Sequence, residues 1–458
     1  MSPDRDTARK VMRVYGVLFV ITGTSFVLFP GLVLGLLRIP AAILPGAGEM
    51  AGGEASLWLG LTGSLMAVIA YLSLTLARDP GQLVAWNALI LSKALSTGLF
   101  AVFAATEANT LYLTAALVDG VICIHIAWLS GSAAASSSAE DPWHPRATEH
   151  DGDGYEVWFL KLNDPATRDA FWARYTMSRG PGGAVAACWF VYFDAERRTV
   201  EQGRWEHPAD EAVLDAGDTL FRLPTGSLGR RWAKGEGEGA RWDLGWEPGA
   251  APPFDFVSER LYRSGIAGSR YFSAQSEGCF RGSVEIAGTR REFRDATGSV
   301  GHIWGARMAE RWRWAHAVLP DGNGGEESVV FEVLSGRPRS GGPLGVTFTL
   351  GHLWFGGRHY ASTGLVRSLC SNRTKAAGDG WDFRIRFDGL VAEGHCAPAA
   401  DLVAEVDYTD PAGRPLVCKN SKTGHLRLEL RDAAGNSLGI FETQDTAAVE
   451  TVVRVGRR

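Results

Sequence analysis

The first 130 residues hold four long apolar windows, roughly 11–37, 55–77, 83–105 and 110–129. A helix that crosses a bilayer needs about 20 such residues, so residues 1–129 are expected to form a four-helix transmembrane bundle. Between residues 14 and 130 only eight side chains are charged: Arg38, Glu49, Glu54, Arg78, Asp79, Lys93, Glu107 and Asp119. Pro30, Pro40 and Pro80 fall near window ends or breaks, where helices stop. The first window is too long for a cleaved signal peptide, and further windows follow it. Basic residues crowd the N-terminal tail (Arg5, Arg9, Lys10, Arg13) and thin out in the loops that follow. The positive-inside rule then places the N-terminus in the cytoplasm. Four spans return the chain to that side, so the remainder is expected there too, beneath a bacterial-type inner membrane.

Two charges fall deep inside these windows. Lys93 lies about 14 residues before the third hairpin turn and Asp119 about 12 after it, so at 1.5 Å per residue their heights differ by only ~4–5 Å. A charge in lipid is costly unless paired. Lys93 and Asp119 are therefore expected to pair, either to fix helix register or, with His125, as a proton or ligand site. A basic residue in the third span and an aspartate in the fourth also resemble small four-helix bacterial membrane proteins of the DoxX-like kind.

After the windows the composition changes. Residues 130–153 are rich in Ser, Ala and Gly and then polar, which reads as a flexible linker. His144, Glu149, His150 and Asp151 within it have no metal-ligand spacing. The six cysteines include no Cys-x-x-Cys pair and suggest neither a disulfide framework nor a zinc site. A net charge of −5 without a basic run gives no reason to expect nucleic acid.

From residue 154 onward, short alternating strands are separated by glycine-rich turns such as Asp321-Gly-Asn-Gly-Gly. With no long amphipathic helix between them, these strands predict an antiparallel all-β region. About 305 residues is too much for one small barrel and suits two in tandem, expected over 154–318 and 319–458. Nucleotide-binding fingerprints, nucleophile elbows and His-Glu-x-x-His are absent from the sequence.

The densest segment is Gly301-His-Ile-Trp-Gly-Ala-Arg-Met-Ala-Glu-Arg-Trp-Arg-Trp-Ala-His316. In extended backbone, His302 and Trp304 share one face, as do Trp312, Trp314 and His316. Inward-facing aromatics of this kind form either a packed core or an apolar pocket with a few polar handles. Arg307 lies among them. His302, His316, His352 and His359 lack metal-pair spacing, so no metal is expected.

This segment, together with 155–162, Trp189–Asp194, 240–244 and the Arg281-Gly282 turn, resembles the AttH, carotenoid 1,2-hydratase and tocopherol cyclase superfamily of tandem lipocalin-like (calycin) barrels. The resemblance covers roughly 154–450. It implies an enzyme that needs no organic cofactor and that hydrates, cyclises or isomerises a terpenoid or related apolar lipid. His302 and Trp304 map onto the family motif. The proton donor it implies is a carboxylic acid on a following strand, for which Glu332 is the nearest counterpart, with Asp295 and Asp255 behind it. Ile303 stands where the family often has asparagine and Phe331 where it has tyrosine, and both changes remove a polar group. Three readings stay open: a membrane-anchored enzyme, a lipid-binding carrier using the same pocket, and a structural interaction protein. The expected partners are an apolar lipid or terpenoid and the membrane.

Overall fold

The computed structural model describes residues 5–29, 55–78, 83–107, 110–135, 141–146, 153–215, 217–263, 267–320, 328–338 and 347–454. The chain divides into two units, Met1–Glu140 and Asp141–Arg458.

Among the described residues the first unit holds four helices: α1 (Arg5–Leu28), α2 (Ala55–Arg78), α3 (Leu83–Glu107) and α4 (Thr110–Ala135). The expectation of four membrane spans is corrected here. Among the described residues two stretches, Ala85–Thr106 and Tyr112–Ser130, are long and apolar enough to cross a membrane. The first nine positions of α1 include Arg5, Asp6, Arg9, Lys10 and Arg13, and the described apolar run of α2, Thr62–Arg78, is short. Residues 30–54, which carry the end of the first expected span, lie outside the described residues.

The α3–α4 hairpin is apolar on its outer face and holds one polar cluster among its buried apolar residues. Leu91, Leu95, Leu99, Val121, Ile124 and Trp128 point outward, each at least half exposed. Lys93 Nζ sits 2.9 Å from Asp119 Oδ1, and Ser96 donates to the other carboxylate oxygen. Both acidic oxygens are thus satisfied, as a buried carboxylate requires. His125 belongs to a different contact, with Tyr15 Oη 2.8 Å from its Nδ1. We expect Lys93→Met to lower the melting temperature of the detergent-solubilised chain, because it strands Asp119. Adding Asp119→Leu should restore most of the loss. If the single variant melts like the wild type, the ion pair is not holding the helices in register.

The second unit is built from two curled antiparallel sheets. The first contains β1 (Gly154–Asn163), β2 (Ala170–Gly180), β3 (Gly183–Asp194), β4 (Thr199–Pro208), β5 (Val213–Leu214) and β6 (Thr219–Leu223). It continues with β7 (Gly226–Gly229), β8 (Trp232–Gly237), β9 (Ala240–Pro248), β10 (Phe254–Asp255), β11 (Ser269–Ile286) and β12 (Thr289–Gly305). The second contains β13 (Arg311–Leu319), β14 (Val329–Arg337), β15 (Phe348–Phe355), β16 (Arg358–Ser362) and β17 (Arg373–Ala377). Its remaining strands are β18 (Gly380–Arg386), β19 (Leu390–Ala397), β20 (Ala404–Thr409), β21 (Pro415–Asp432) and β22 (Ser437–Arg454). Short helices α5 (Glu259–Arg263) and α6 (Leu365–Cys370) interrupt the run.

In each sheet the first strand pairs with the last, β1 with β12 and β13 with β22. Each sheet therefore curls around its own apolar interior and leaves one unpaired seam, between β4 and β5 in the first and between β16 and β17 in the second. This is the tandem lipocalin-like arrangement. The boundary differs from the expected one at residue 318: β13, which carries Trp312, Trp314 and His316, opens the second sheet.

Three apolar layers result. One fills the first curl (Trp158, Phe171, Tyr175, Trp242) and one fills the second (Phe331, Trp381, Phe383, Leu428). The third lies where the outer faces of the two sheets meet, around Phe159, Trp172, Trp314 and Tyr408. Because β1 is covered on both faces, all but its first residue are buried. That accounts for its near-continuous apolar sequence.

Part of the linker stretch is docked on the first sheet. Asp141 pairs with Arg230 at 2.6 Å, Trp143 stacks on Trp158 at 6.0 Å, and the Arg146 N–H donates to both Glu156 oxygens at 2.9 and 3.0 Å. The Trp143 ring and these charge-assisted bonds order a segment whose composition alone suggests a free tether.

Candidate functional site

A cavity of about 190 Å³ lies between the two sheets. Its walls are mostly aromatic and aliphatic, with Phe159, Trp172, Tyr271 and Ile303 from the first sheet and Trp312, Trp314, Leu334 and Leu350 from the second. Arg307 is exposed at its rim. Gly301 helps to shape the wall: a Cβ there would fall 2.3 Å from the Phe159 ring, so only glycine lets that ring lie across the strand.

Strand alternation decides which residues reach this space. Gly301 and Ile303 face the cavity side of β12, so His302 and Trp304 face the opposite side. His302 stacks on Trp158 with ring centroids 3.4 Å apart. Its Nδ1 donates to the Pro142 carbonyl at 2.9 Å, and its Nε2 lies 2.7 Å from Glu156 Oε1. Trp304 packs on Phe272 and beneath the guanidinium groups of Arg146 and Arg270. His302, expected as catalytic, and Trp304, expected to bind ligand, thus lie outside the cavity lining and hold the docked linker segment. Asp295, expected behind Glu332 as an acid, also lies away from the cavity. Its side chain is 69% exposed and pairs with Arg281 at 2.9 Å on a surface hairpin. Asp255 pairs with Arg270 at 3.0 Å and does not line the cavity.

Glu332 is differently placed. It is fully buried, and its Oε1 accepts hydrogen bonds from Trp314 Nε1 at 2.7 Å and from the Tyr271 hydroxyl. Both donors line the cavity. Its second oxygen is buried without a partner among the described residues. Burial outweighs these hydrogen bonds and pushes its carboxyl up to about 7. In register, Glu332 stands between His316 and His352. Burial depresses both imidazoles, His352 to about 3. Each gives its Nε2 proton to a carbonyl, His316 to Ser276 at 2.8 Å and His352 to Asp255 at 2.9 Å. The two histidines are thus neutral spacers, and the carboxyl holds the only labile proton of that row.

Around it runs a polar network that crosses from sheet to sheet. Lys161 Nζ donates to Asn163 Oδ1 at 3.1 Å, and Asn163 Nδ2 donates to the Lys422 carbonyl at 2.6 Å. Lys422 Nζ pairs with Glu450 Oε1 at 2.6 Å and lies 5.0 Å from the Trp314 ring. Both lysines are essentially unexposed. Burial and the neighbouring Lys422 lower the Lys161 ammonium to about 7, while Glu332 acts in the opposite direction.

Of the residues chosen from the sequence, the fold gathers Glu332, Trp312, Trp314 and Arg307 at the cavity, with His316 in the adjoining network. Tyr271, Lys161, Lys422 and Glu450 were not foreseen. A signal existed for Lys161, a lone charge in the apolar run Val157–Leu162. The others come from strands whose neighbours in space are distant in sequence.

No family model matches the chain. Its sequence is similar to two uncharacterised proteins of Mycobacterium tuberculosis, one from each of two strains, with 28% identity over 288 residues. That match covers 62% of this chain and 83% of each relative. Its structure is similar to that of a protein of Nitrosomonas europaea provisionally assigned as AttH (12% identity, TM-score 0.44, 69% of this chain and 96% of that one). It is also similar to kievitone hydratase from Nectria haematococca (9% identity, TM-score 0.43, 69% and 92%).

Proposed function

We propose that the chain is a membrane-anchored acid catalyst that hydrates, cyclises or isomerises an alkene of an apolar, terpenoid-like lipid in the cavity between its two sheets. One observation supports the reading: a fully buried carboxyl, Glu332, hydrogen-bonded by two cavity-lining groups, Tyr271 and Trp314. A carboxyl that stays protonated near neutral pH suits general acid catalysis. For the transfer the Tyr271 hydroxyl turns from donating to Glu332 to accepting its proton, and passes its own hydrogen to the alkene carbon. The developing carbocation faces Trp172, Trp312 and Trp314, whose ring faces attract positive charge. Lys161 and the Trp314 N–H stabilise the carboxylate left behind. Loss of a proton from the cation, or from the water that adds to it, returns the acid to its starting state. The apolar helices hold the β unit at the cytoplasmic face of the membrane in which such a ligand dissolves.

The test begins with lipid extraction from the purified full chain and mass spectrometry of what is recovered. The recovered lipid is then incubated with the protein in deuterium oxide and in heavy-oxygen water. Carbon-bound deuterium, with heavy oxygen if the product is an alcohol, supports the reading. A lipid that binds and returns unlabelled makes the protein a carrier instead. Failure to recover or bind any apolar ligand rules out both.

A further inference from the structure

We propose that Arg174 anchors the ligand, so that the natural ligand carries a carboxylate or comparable oxyanion at one end of its apolar body. This inference rests on the cavity reading above and adds the chemical class of the ligand.

Arg174 lies on β2, is 6% exposed and lines the cavity. Its Nε donates to Thr176 Oγ1 at 3.1 Å. Its guanidinium carbon lies 4.1 Å from the Tyr408 ring centroid and 5.4 Å from that of Trp189. No carboxylate pairs with it among the described residues. Arg270, the other buried arginine of the described chain, has Asp255 at 3.0 Å. The acid that Arg174 shares the cavity with, Glu450, is held by Lys422 at 2.6 Å. The two aromatic faces offset part of the cost of removing a guanidinium from water, yet none of its terminal nitrogens has an acceptor among the described residues. A guanidinium so placed presents the planar fork that binds a carboxylate through two parallel hydrogen bonds. The cavity volume of about 190 Å³ is somewhat above the ~150 Å³ that accommodates benzene. It therefore suits a branched body of about ten carbons, or the acid-bearing end of a longer chain that leaves past Arg307.

Isothermal calorimetry on the full chain in detergent at pH 8 tests this with geranic acid and its uncharged methyl ester as probes. The wild type should bind the acid about tenfold or more tightly than the ester, the worth of one charge-assisted pair. Arg174→Met should abolish that preference while binding the ester as before, which also shows that the variant is folded. Arg174→Lys keeps the charge but not the fork and should retain part of the preference. Equal binding of acid and ester by the wild type would overturn the assignment and leave the cavity reading standing. An acid preference that survives Arg174→Met would overturn it too. Binding of neither probe would remove both proposals.

Discussion

Glu332→Gln yields a folded chain whose turnover falls by about two to four orders of magnitude, the usual contribution of a positioned general acid. The amide oxygen still accepts from Tyr271 and Trp314, so the side chain keeps its place and loses only its labile proton. The wild type should lose activity as pH rises through about 7, where the carboxyl ionises. Stability moves oppositely in the variant. The folded carboxyl binds its proton more tightly than the unfolded one, whose ordinary value is 4.5. Glu332 therefore weakens the fold progressively between about pH 4.5 and 7, by an amount on the order of 3 kcal/mol once ionised. Above pH 7 Glu332→Gln should melt no lower than the wild type, and higher if that cost is relieved. Thermal melts at pH 5 and pH 8, alongside turnover of the extracted lipid, separate the two effects. A variant that is fully active, or one that unfolds at both pH values, defeats the acid assignment.

Lys422→Met should destabilise the β unit by about 3–5 kcal/mol, because it leaves the Glu450 carboxylate buried and unpaired. The methionine keeps most of the contact with Trp172 and Trp314, so little of the loss comes from packing. The double variant Lys422→Met/Glu450→Leu removes both charges and should regain most of the loss, since apolar replacement of a whole buried pair is often neutral. Denaturant melts of the three proteins read this directly. A single variant as stable as the wild type would mean that Glu450 reaches water or takes up a proton freely.

Much of the fold is legible in the sequence, because hydrophobic period is a local property. The apolar windows became helices, and the stretches 155–162, Ala187–Asp194 and Gly380–Arg386 are strands. What eluded the reading is which face of a strand meets what. His302 and Trp304 do share a face, as alternation requires, but β1 and β12 are covered on both sides, and nothing local says which side holds the cavity. The same ambiguity moved the domain boundary: β13 reads equally well as the last strand of one sheet or the first of the next. Glu332 was reachable because a carboxylate stands out in Val329-Val-Phe-Glu-Val. Tyr271, Arg174 and Glu450 look like ordinary strand residues until three distant stretches of chain meet.

The cavity between the sheets has walls from both, so neither sheet possesses a site alone. On the proposed function, ligand binding and sheet docking are therefore one thermodynamic event. A ligand that binds only the docked sheets then stabilises their contact by about 2.7 kcal/mol at a hundredfold excess over its dissociation constant, and a product that fits less well stabilises it less. On that reading the two sheets act as a jaw whose grip is set by the ligand, and their separation is the expected step for product release.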